Sequence, residues 1–505
     1  MHKKAIKLLS LLLTVLLISG CAGAGKDEYS SVDYTSDCMQ SEEISEYDEQ
    51  TGANENKTSA KKTANSGKKN NATNKKSSTK TTKSKTSAKS VSTTKNTTVK
   101  SSAQTTSKST ASNSSKGKTT ASSSVVKYKQ ASVYVNKKNI SQIKMVGCST
   151  TSSAVNLQCT NSSLEFNVNC KDTFSVKLGG NASYTLKLKC FVDGKPYNGK
   201  DGVYSYKAST ITFRVADNLD EGVHNFKFVR LQCIETAKIS FQSFTTNLAN
   251  GKWQDEAPEN KKYYIEALGD SALTGWGVTL SDDFYKDWDK KSAGLSGNAL
   301  SKVYNEYQSN ARDHETKDGT LTYPWLVAEK LGADCFTMAR QGAGIATTYH
   351  QNSAKTQINA SAGLIESYHK TYCDGSRQPD VIIVDAGGTD IRPELLKLVT
   401  DDEHKNGITY SESVMRVAEF FNNLKKAHPS SKILWCYGLV SNPDAKGIDG
   451  VTFSQHTENV MKVLGGEKSG VYTLKLETTK RKGYPSKEEY EAAADKVYEF
   501  IKKIL

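Results

Sequence analysis

Apolar and polar residues change rhythm along this chain. Between residues 126 and 250 the period is two: Phe174, Val176 and Leu178 alternate with polar neighbours, as do Ile211, Phe213 and Val215, and later Ile239 and Phe241. Period two puts every second side chain on one face, so these runs predict strands buried on one side. Gly179-Gly180-Asn181, Asp193-Gly194-Lys195 and Asp220-Glu221-Gly222 stand between them as turn signals. Short strands at this spacing predict an antiparallel all-β sandwich over residues 126–250.

From residue 260 to 505 the rhythm alternates instead. Tyr263–Leu268, Cys335–Met338, Val381–Val384, Ile433–Tyr437 and Val471–Leu476 are short apolar runs, as central parallel strands require. Helical segments separate them. Leu321–Leu331 predicts a helix with Pro324 in its first turn and Gly332 at its end. Val414, Val417, Ala418, Phe421 and Leu424 share one helical face. Ser486 with Glu489 forms a capping box before a helix whose face is Tyr490, Ala494, Val497 and Ile501. Strand and helix in alternation predict an α/β domain with a doubly wound, flavodoxin-like parallel sheet, which binds ligands at the carboxyl ends of its strands.

Residues 1–125 follow neither rhythm. Lys3 and Lys4 precede an apolar run, Leu8–Ile18, and then Leu17-Ile18-Ser19-Gly20-Cys21. A basic start, a short apolar run and small residues before a cut predict a signal peptide over residues 1–20. The run is too short to predict a membrane span. Residues 27–49 hold nine acids and no base, and residues 51–125 hold sixteen lysines against Glu55 alone. Such segments cannot bury enough apolar surface to order themselves, so residues 21–125 are expected to be a disordered linker. A lysine-rich spacer also attracts polyanions, such as an anionic cell-wall polymer.

The linker explains the composition. Hydrophobic content is 36 % and the net charge is +14; the +15 of residues 51–125 leaves the rest near −1. The basic balance therefore gives no reason to expect a nucleic-acid partner. Five cysteines, Cys148, Cys159, Cys170, Cys190 and Cys233, fall within the β-rich region. They are either partly paired as disulfides, with one left over, or buried as small apolar groups. No Cys-x-x-Cys pair, histidine cluster or phosphate-cradling glycine loop predicts a metal or cofactor.

The candidate chemistry lies at Gly269-Asp270-Ser271, after the first apolar run of the α/β region, with Gly275 and Gly277 just beyond. Strand, tight glycine turn and serine present a hydroxyl at the carboxyl edge of a sheet. This stretch resembles the GDSL or SGNH hydrolase motif, which makes Ser271 the expected nucleophile. Leu-Ile-Ser-Gly-Cys21 resembles a bacterial lipobox. That implies a lipid on Cys21, a place on the extracellular face of the cell membrane, and anchoring by that lipid.

A wider resemblance is to family 2 carbohydrate esterases. It is diffuse at Phe191–Gly194 and Leu219–Asn225, which resemble that family's amino-terminal jelly roll. It is sharper at Ser271, Leu321–Leu331, Gly342–Gly344, residues 381–390 and Pro485-Ser486. The resemblance implies a jelly-roll sandwich before an SGNH domain, and removal of O-acetyl groups from polysaccharide. By the same resemblance, Ser271 N–H and a glycine N–H, from Gly342 or alternatively Gly344, donate to the oxyanion. Thr389 stands where the family has the asparagine of Gly-Thr-Asn-Asp, beside Asp390. Tyr484 stands where it has the catalytic histidine, and Arg481 where SGNH enzymes often carry an aspartate. Phenols ordinarily ionise near pH 10 and are poor bases at pH 7.

The expectation is therefore a carbohydrate esterase with a degraded site, or a non-catalytic protein that binds acetylated polysaccharide or cell-wall glycan. Adhesion through the basic linker is a third reading. A monomer is expected. His314 and His350 are the alternative bases, and His369, His404, His428 and His456 are expected at the surface. Trp276 is either a sugar-stacking ring or a core residue, and Gly344 and Asp390 are further candidate substrate contacts.

Overall fold

The computed structural model describes residues 126–232, 237–295, 299, 302–303, 306, 316–339, 343–347, 377–397, 399, 406–440, 442–480 and 484–505. The signal-peptide and linker segments, including Cys21, lie outside the described residues. So do Cys233, Gly342, His314, His350, His369, His404 and Arg481.

The first ten strands are antiparallel. They are β1 (Tyr128–Tyr134), β2 (Lys144–Val146), β3 (Cys148–Thr150), β4 (Val155–Leu157), β5 (Ser163–Gly179), β6 (Leu186–Val192), β7 (Lys195–Pro196), β8 (Val203–Tyr206), β9 (Thr210–Arg230) and β10 (Ile239–Ala249). They form one continuous sheet, ordered β3-β4-β10-β5-β9-β6-β7, rather than two separate ones. The long strands β5 and β9 let a single sheet curl around one core. Their register slips near Cys170, Asp172 and Phe174, and Asp172 and Asn218 take positive φ there. Asp220-Glu221-Gly222, expected as a turn between strands, belongs to this irregular pairing inside β9. Extra residues in an antiparallel pair bend it without reversing the chain. Asp193-Gly194 is a true two-residue hairpin between β6 and β7, both residues at positive φ.

Alternation fills the core as expected. Phe166, Phe174, Phe226, Phe241 and Phe244 are buried together, with the Phe174 and Phe226 rings stacked at 3.6 Å. Cys170 and Cys190 are buried free thiols that act as small packing groups, Cys159 is buried, and the half-buried Cys148 Sγ donates to Ser163 O at 3.2 Å.

Five strands make the second sheet: β11 (Tyr263–Gly269), β12 (Ala333–Ala339), β13 (Val381–Asp385), β14 (Lys432–Tyr437) and β15 (Val471–Lys475). Every pairing is parallel, in the order β12-β11-β13-β14-β15. The chain turns back between β11 and β13, which makes that crevice the topological switch point.

Helices α1 (Asp282–Ser292), α2 (Tyr323–Leu331), α3 (Tyr410–Ala427), α4 (Phe453–Leu464) and α5 (Lys487–Ile504) accompany the sheet. Val327 of α2 and Val497 of α5 pack with Ile265, Ile383 and Leu434 on one face. Phe421 of α3 and Val460 of α4 pack with Leu268, Ile382 and Trp435 on the other. Neighbouring strand residues point to opposite faces, so both must be apolar. Local signals set the helix ends. Thr409 with Glu412, Thr452 with Gln455, and Ser486 with Glu489 are capping boxes, while Gly332 and Gly465 close α2 and α4 at positive φ.

The two sheets share a buried seam. Asn161 Nδ2 donates to Gly319 O at 3.2 Å and to Thr337 Oγ1 at 3.0 Å. Gly147 lies against the Phe336 ring. Lys144, from β2, reaches Asp334 of β12 at 2.9 Å, and Arg377 reaches the other carboxylate oxygen at 2.6 Å.

Candidate active site

The central strand β11 ends at Gly269, opposite Asp385 at the end of β13. Asp270 N–H donates to Asp385 O at 3.1 Å, carrying the strand pairing one step further. Asp270 Oδ1 then accepts Ala272 N–H at 2.9 Å, which caps a single 3-10 turn, Ser271–Thr274. Asp is suited to this because its short carboxylate reaches the free amide two residues on. Ser271 heads the turn, at the carboxyl edge of the sheet and on the switch point. Gly275 ends it at φ 67°, with the Asp318 backbone so close that a Cβ would collide. Gly319 N–H in turn donates to Leu231 O at 2.7 Å, so the β-rich region buttresses this turn through residues 318–319.

Asp390 stands across the crevice and is fully buried. Its carboxylate accepts Ile345 N–H at 3.0 Å, Ala346 N–H at 3.0 Å, and both Thr347 N–H and Thr347 Oγ1 at 2.8 Å. Burial raises its carboxyl to about 6, against these donors, which favour the ionised form. Asp390 thus fixes the glycine loop. Gly344 lies within that loop against Thr389 Oγ1, Thr347 O and Asp390 Oδ1, and a Cβ there has no room. Thr389 Oγ1 is buried without a hydrogen-bond partner. A buried hydroxyl normally finds one, so Thr389 keeps an uncommitted donor beside Gly344.

Tyr484 comes from the carboxyl-terminal part of the chain to the residues just past the Ser271 turn. It is half-buried, and its ring packs on Trp276 with centroids 4.4 Å apart. Trp276 is fully buried. Two residues after Tyr484, Ser486 caps α5, whose Tyr490 hydroxyl donates to Ala272 O at 2.7 Å. The helix therefore clamps the Ser271 turn from above.

Beneath the turn lie two acids, Asp385 buried and Asp270 half-buried. Asp385 Oδ2 accepts the Tyr323 hydroxyl at 2.9 Å. Burial, then the neighbouring Asp270, holds the Asp385 carboxyl well above the usual range, with Tyr323 opposing. Burial raises Asp270 to about 7, opposed by Ala272 N–H and reinforced by Asp390. Burial also pushes the Tyr490 phenol up, with Asp385, Tyr484 and Asp270 adding to it.

Gly344, Thr389 and Asp390 thus lie together, and Trp276 and Tyr484 pack on each other just past the Ser271 turn, while Gly342 lies outside the described residues. His428 and His456, expected at the surface, are both buried. His428 follows α3 and its Nδ1 pairs with Gln378 Oε1 at 2.8 Å, just before β13 and at the opposite edge of the sheet. His456 sits among Trp435, Phe453 and Tyr410. Among the described residues no histidine enters the Ser271 turn. Asp385, Tyr323 and Tyr490 were not singled out by sequence reasoning. Asp385 shows itself only as an acid closing the run Val381–Val384, and the tyrosines read as apolar helix faces.

No family model matches this chain, and no curated protein does. Solved structures do match in fold. A family two carbohydrate esterase from Cellvibrio japonicus aligns at TM-score 0.53 and 16 % identity, over 75 % of this chain and 98 % of that one. The acetyl xylan esterase Est2A from the rumen bacterium Butyrivibrio proteoclasticus aligns at 0.52 and 14 %, over 74 % and 98 %. A family two carbohydrate esterase from Clostridium thermocellum, in complex with cellohexaose, aligns at 0.50 and 16 %, again over 74 % and 98 %.

Proposed function

We propose that this chain is a surface-anchored protein of the SGNH carbohydrate esterase type that recognises O-acetylated polysaccharide, with its own hydrolysis slowed by loss of the base. One observation supports this reading: Tyr484, where the resemblance expects the histidine, packs on Trp276 just past the Ser271 turn, and α5 beyond it holds that turn through Tyr490. Acyl transfer from a sugar ester to Ser271 needs a base to take the serine proton and donors for the oxyanion. Ser271 N–H, the Thr389 hydroxyl and Gly342 N–H supply donors in this reading; Gly344, the alternative to Gly342, already gives its N–H to Thr347 O at 2.9 Å. A neutral phenol is a poor proton acceptor at pH 7. Loss of a triad member typically costs a factor of about 10⁴–10⁶, so glycan binding without appreciable turnover is the expected state.

Aryl-acetate hydrolysis by the wild type is expected to be weak near neutral pH and to rise towards pH 10. Combining Tyr484→His with Thr389→Asn is expected to raise it at least about tenfold, equivalent to roughly 1.4 kcal/mol of barrier. Strong neutral-pH activity abolished by His314→Ala or His350→Ala would overturn this reading by placing the base elsewhere. In the same reading Cys21 carries a lipid that holds the protein at the membrane, so Cys21→Ala should move it into the medium.

A further inference from the structure

The seam between the two sheets is built around one buried cation. Arg230 ends β9 and is fully buried. Its Nε donates to Gln232 O at 2.6 Å, its Nη1 to Leu157 O at 2.7 Å and Gln158 O at 2.8 Å, and its Nη2 to Ala237 O at 2.6 Å. A guanidinium presents its donors in one rigid plane, so four carbonyls on it hold several chain segments in register. The backbone closes the same corner. Asn161 N–H donates to Arg230 O at 2.8 Å, and Arg230 N–H to Ser162 O at 2.9 Å. Asn161 itself takes φ 61°, a left-handed conformation that asparagine tolerates.

Hydrogen bonds cross from this corner to the α/β region. Leu231 O accepts Gly319 N–H at 2.7 Å, and Thr160 O accepts Thr337 N–H at 3.2 Å. Asn161 Nδ2 donates to Gly319 O and to Thr337 Oγ1, which uses both of its protons. The β-rich region therefore holds Gly319 by its N–H and its C=O together. The fit is close: a Cβ on Gly319 would stand 2.0 Å from Thr160 Cγ2 and 2.7 Å from Asn161 Oδ1. On its other side Gly319 leads into the site. Asp318 N–H donates to Gly275 O at 3.3 Å, and Thr279 N–H and Oγ1 both donate to Thr316 O, at 3.4 and 3.0 Å. Residues 316–318 thus lie along 275–279, the segment that leaves the Ser271 turn. Gly319 O also accepts the Thr322 hydroxyl at 2.7 Å, which fixes the start of α2 just before Tyr323.

We propose that Asn161 is a positioning residue for the Ser271 turn. From the β-rich region it sets where residues 316–319 lie, and these set where the turn ends. The serine site is then a product of both regions of the chain. This role stands whether or not the chain hydrolyses esters.

The test is amide hydrogen exchange in the full chain, for wild type, Asn161→Gly, Thr337→Val and Val176→Ala. Asn161→Gly keeps the left-handed backbone and removes both bonds of the side chain. Val176→Ala opens the β-rich core near the far end of β5, away from the seam, and serves as a control for general destabilisation. In Asn161→Gly, exchange at Ala272, Leu273 and Asp318 should quicken about tenfold more than at Ile383 in β13. Val176→Ala should lower the melting temperature without that selective rise. A rise in Asn161→Gly that is equal at every amide overturns the proposal, because the residue would then be merely structural. So does unchanged protection of Ala272 and Leu273 while the Gly319 amide opens. Should Asn161→Gly not fold, Thr337→Val decides, since it removes only one of the two acceptors. A selective rise of about threefold at the same amides supports the assignment, and its absence refutes it.

Discussion

Two buried aspartates mark the opposite edges of the parallel sheet. Asp334 is the second residue of β12, at the strands' amino ends, and Asp385 is the last of β13, at their carboxyl ends. Both are largely shielded from water. Asp334 accepts Lys144 at 2.9 Å, Arg377 at 2.6 Å and Lys261 N–H at 3.0 Å. Burial would raise its carboxyl, yet Lys144 and Arg377 win, and it lies below the usual value. Asp385 has a phenol, a thiol and another acid around it, and it rises. The same side chain at similar depth is held towards its charged form in one place and towards its neutral form in the other. Burial alone does not say which; the charge of the neighbours does.

The largest expected effect comes from breaking the paired end. Lys144→Met should leave Asp334 short of a cation in a dry seam and cost about 3–5 kcal/mol in urea unfolding; a loss under about 1 kcal/mol would mean that Arg377 alone suffices. Next is Asp390→Ala, which strips four donors from their shared acceptor. A loss of about 2–3 kcal/mol is expected, with exchange at the Ile345, Ala346 and Thr347 amides rising ahead of global unfolding.

His456 sharpens the comparison from the basic side. Both of its ring nitrogens are buried without partners, and burial lowers it to about 4. Its cost appears as pH falls from 6.5 towards 4, because the unfolded chain then binds a proton that the folded chain refuses. Asp390 and Asp270 act in the opposite sense over much of that window. His456→Leu should therefore be more stable by about 1 kcal/mol at pH 7, and should gain on acidification relative to wild type. The smallest effect tests an ordinary helix end: Thr452→Ala should cost about 0.5–1 kcal/mol, with little pH dependence above 5.

The sheet was legible in the sequence because its strands are short apolar runs and its helices carry their own caps. Val381–Val384 and the Ser486 capping box could be read without any tertiary knowledge. The curl of the antiparallel sheet was not legible. Asp220-Glu221-Gly222 has turn chemistry, and only the pairing of Gly222 with Cys170 and of Leu219 with Asp172 decides that it bends a strand instead. The site was half legible. Ser271, Thr389 and Tyr484 stand out by motif, but the acid pair depends on register. Gly269 opposite Asp385 is a fact of parallel pairing between residues more than a hundred positions apart. His428 and His456 look polar in sequence, and their burial follows from the helix faces that carry them.

The bond from Tyr490 to Ala272 spans 218 residues. It gives the molecule a timetable. When Ser271 is synthesised, β11 has neither of its neighbouring strands, since β12 and β13 both come later. The clamp over the turn is made later still, with α5. During biosynthesis the serine therefore rides on an unfinished sheet, and the crevice takes its final shape only after the segment 487–504 has docked. A nascent or truncated chain lacking that helix should fold its antiparallel sheet and still lack the finished turn, which makes amide protection at Ala272 and Leu273 a report on whether synthesis reached α5.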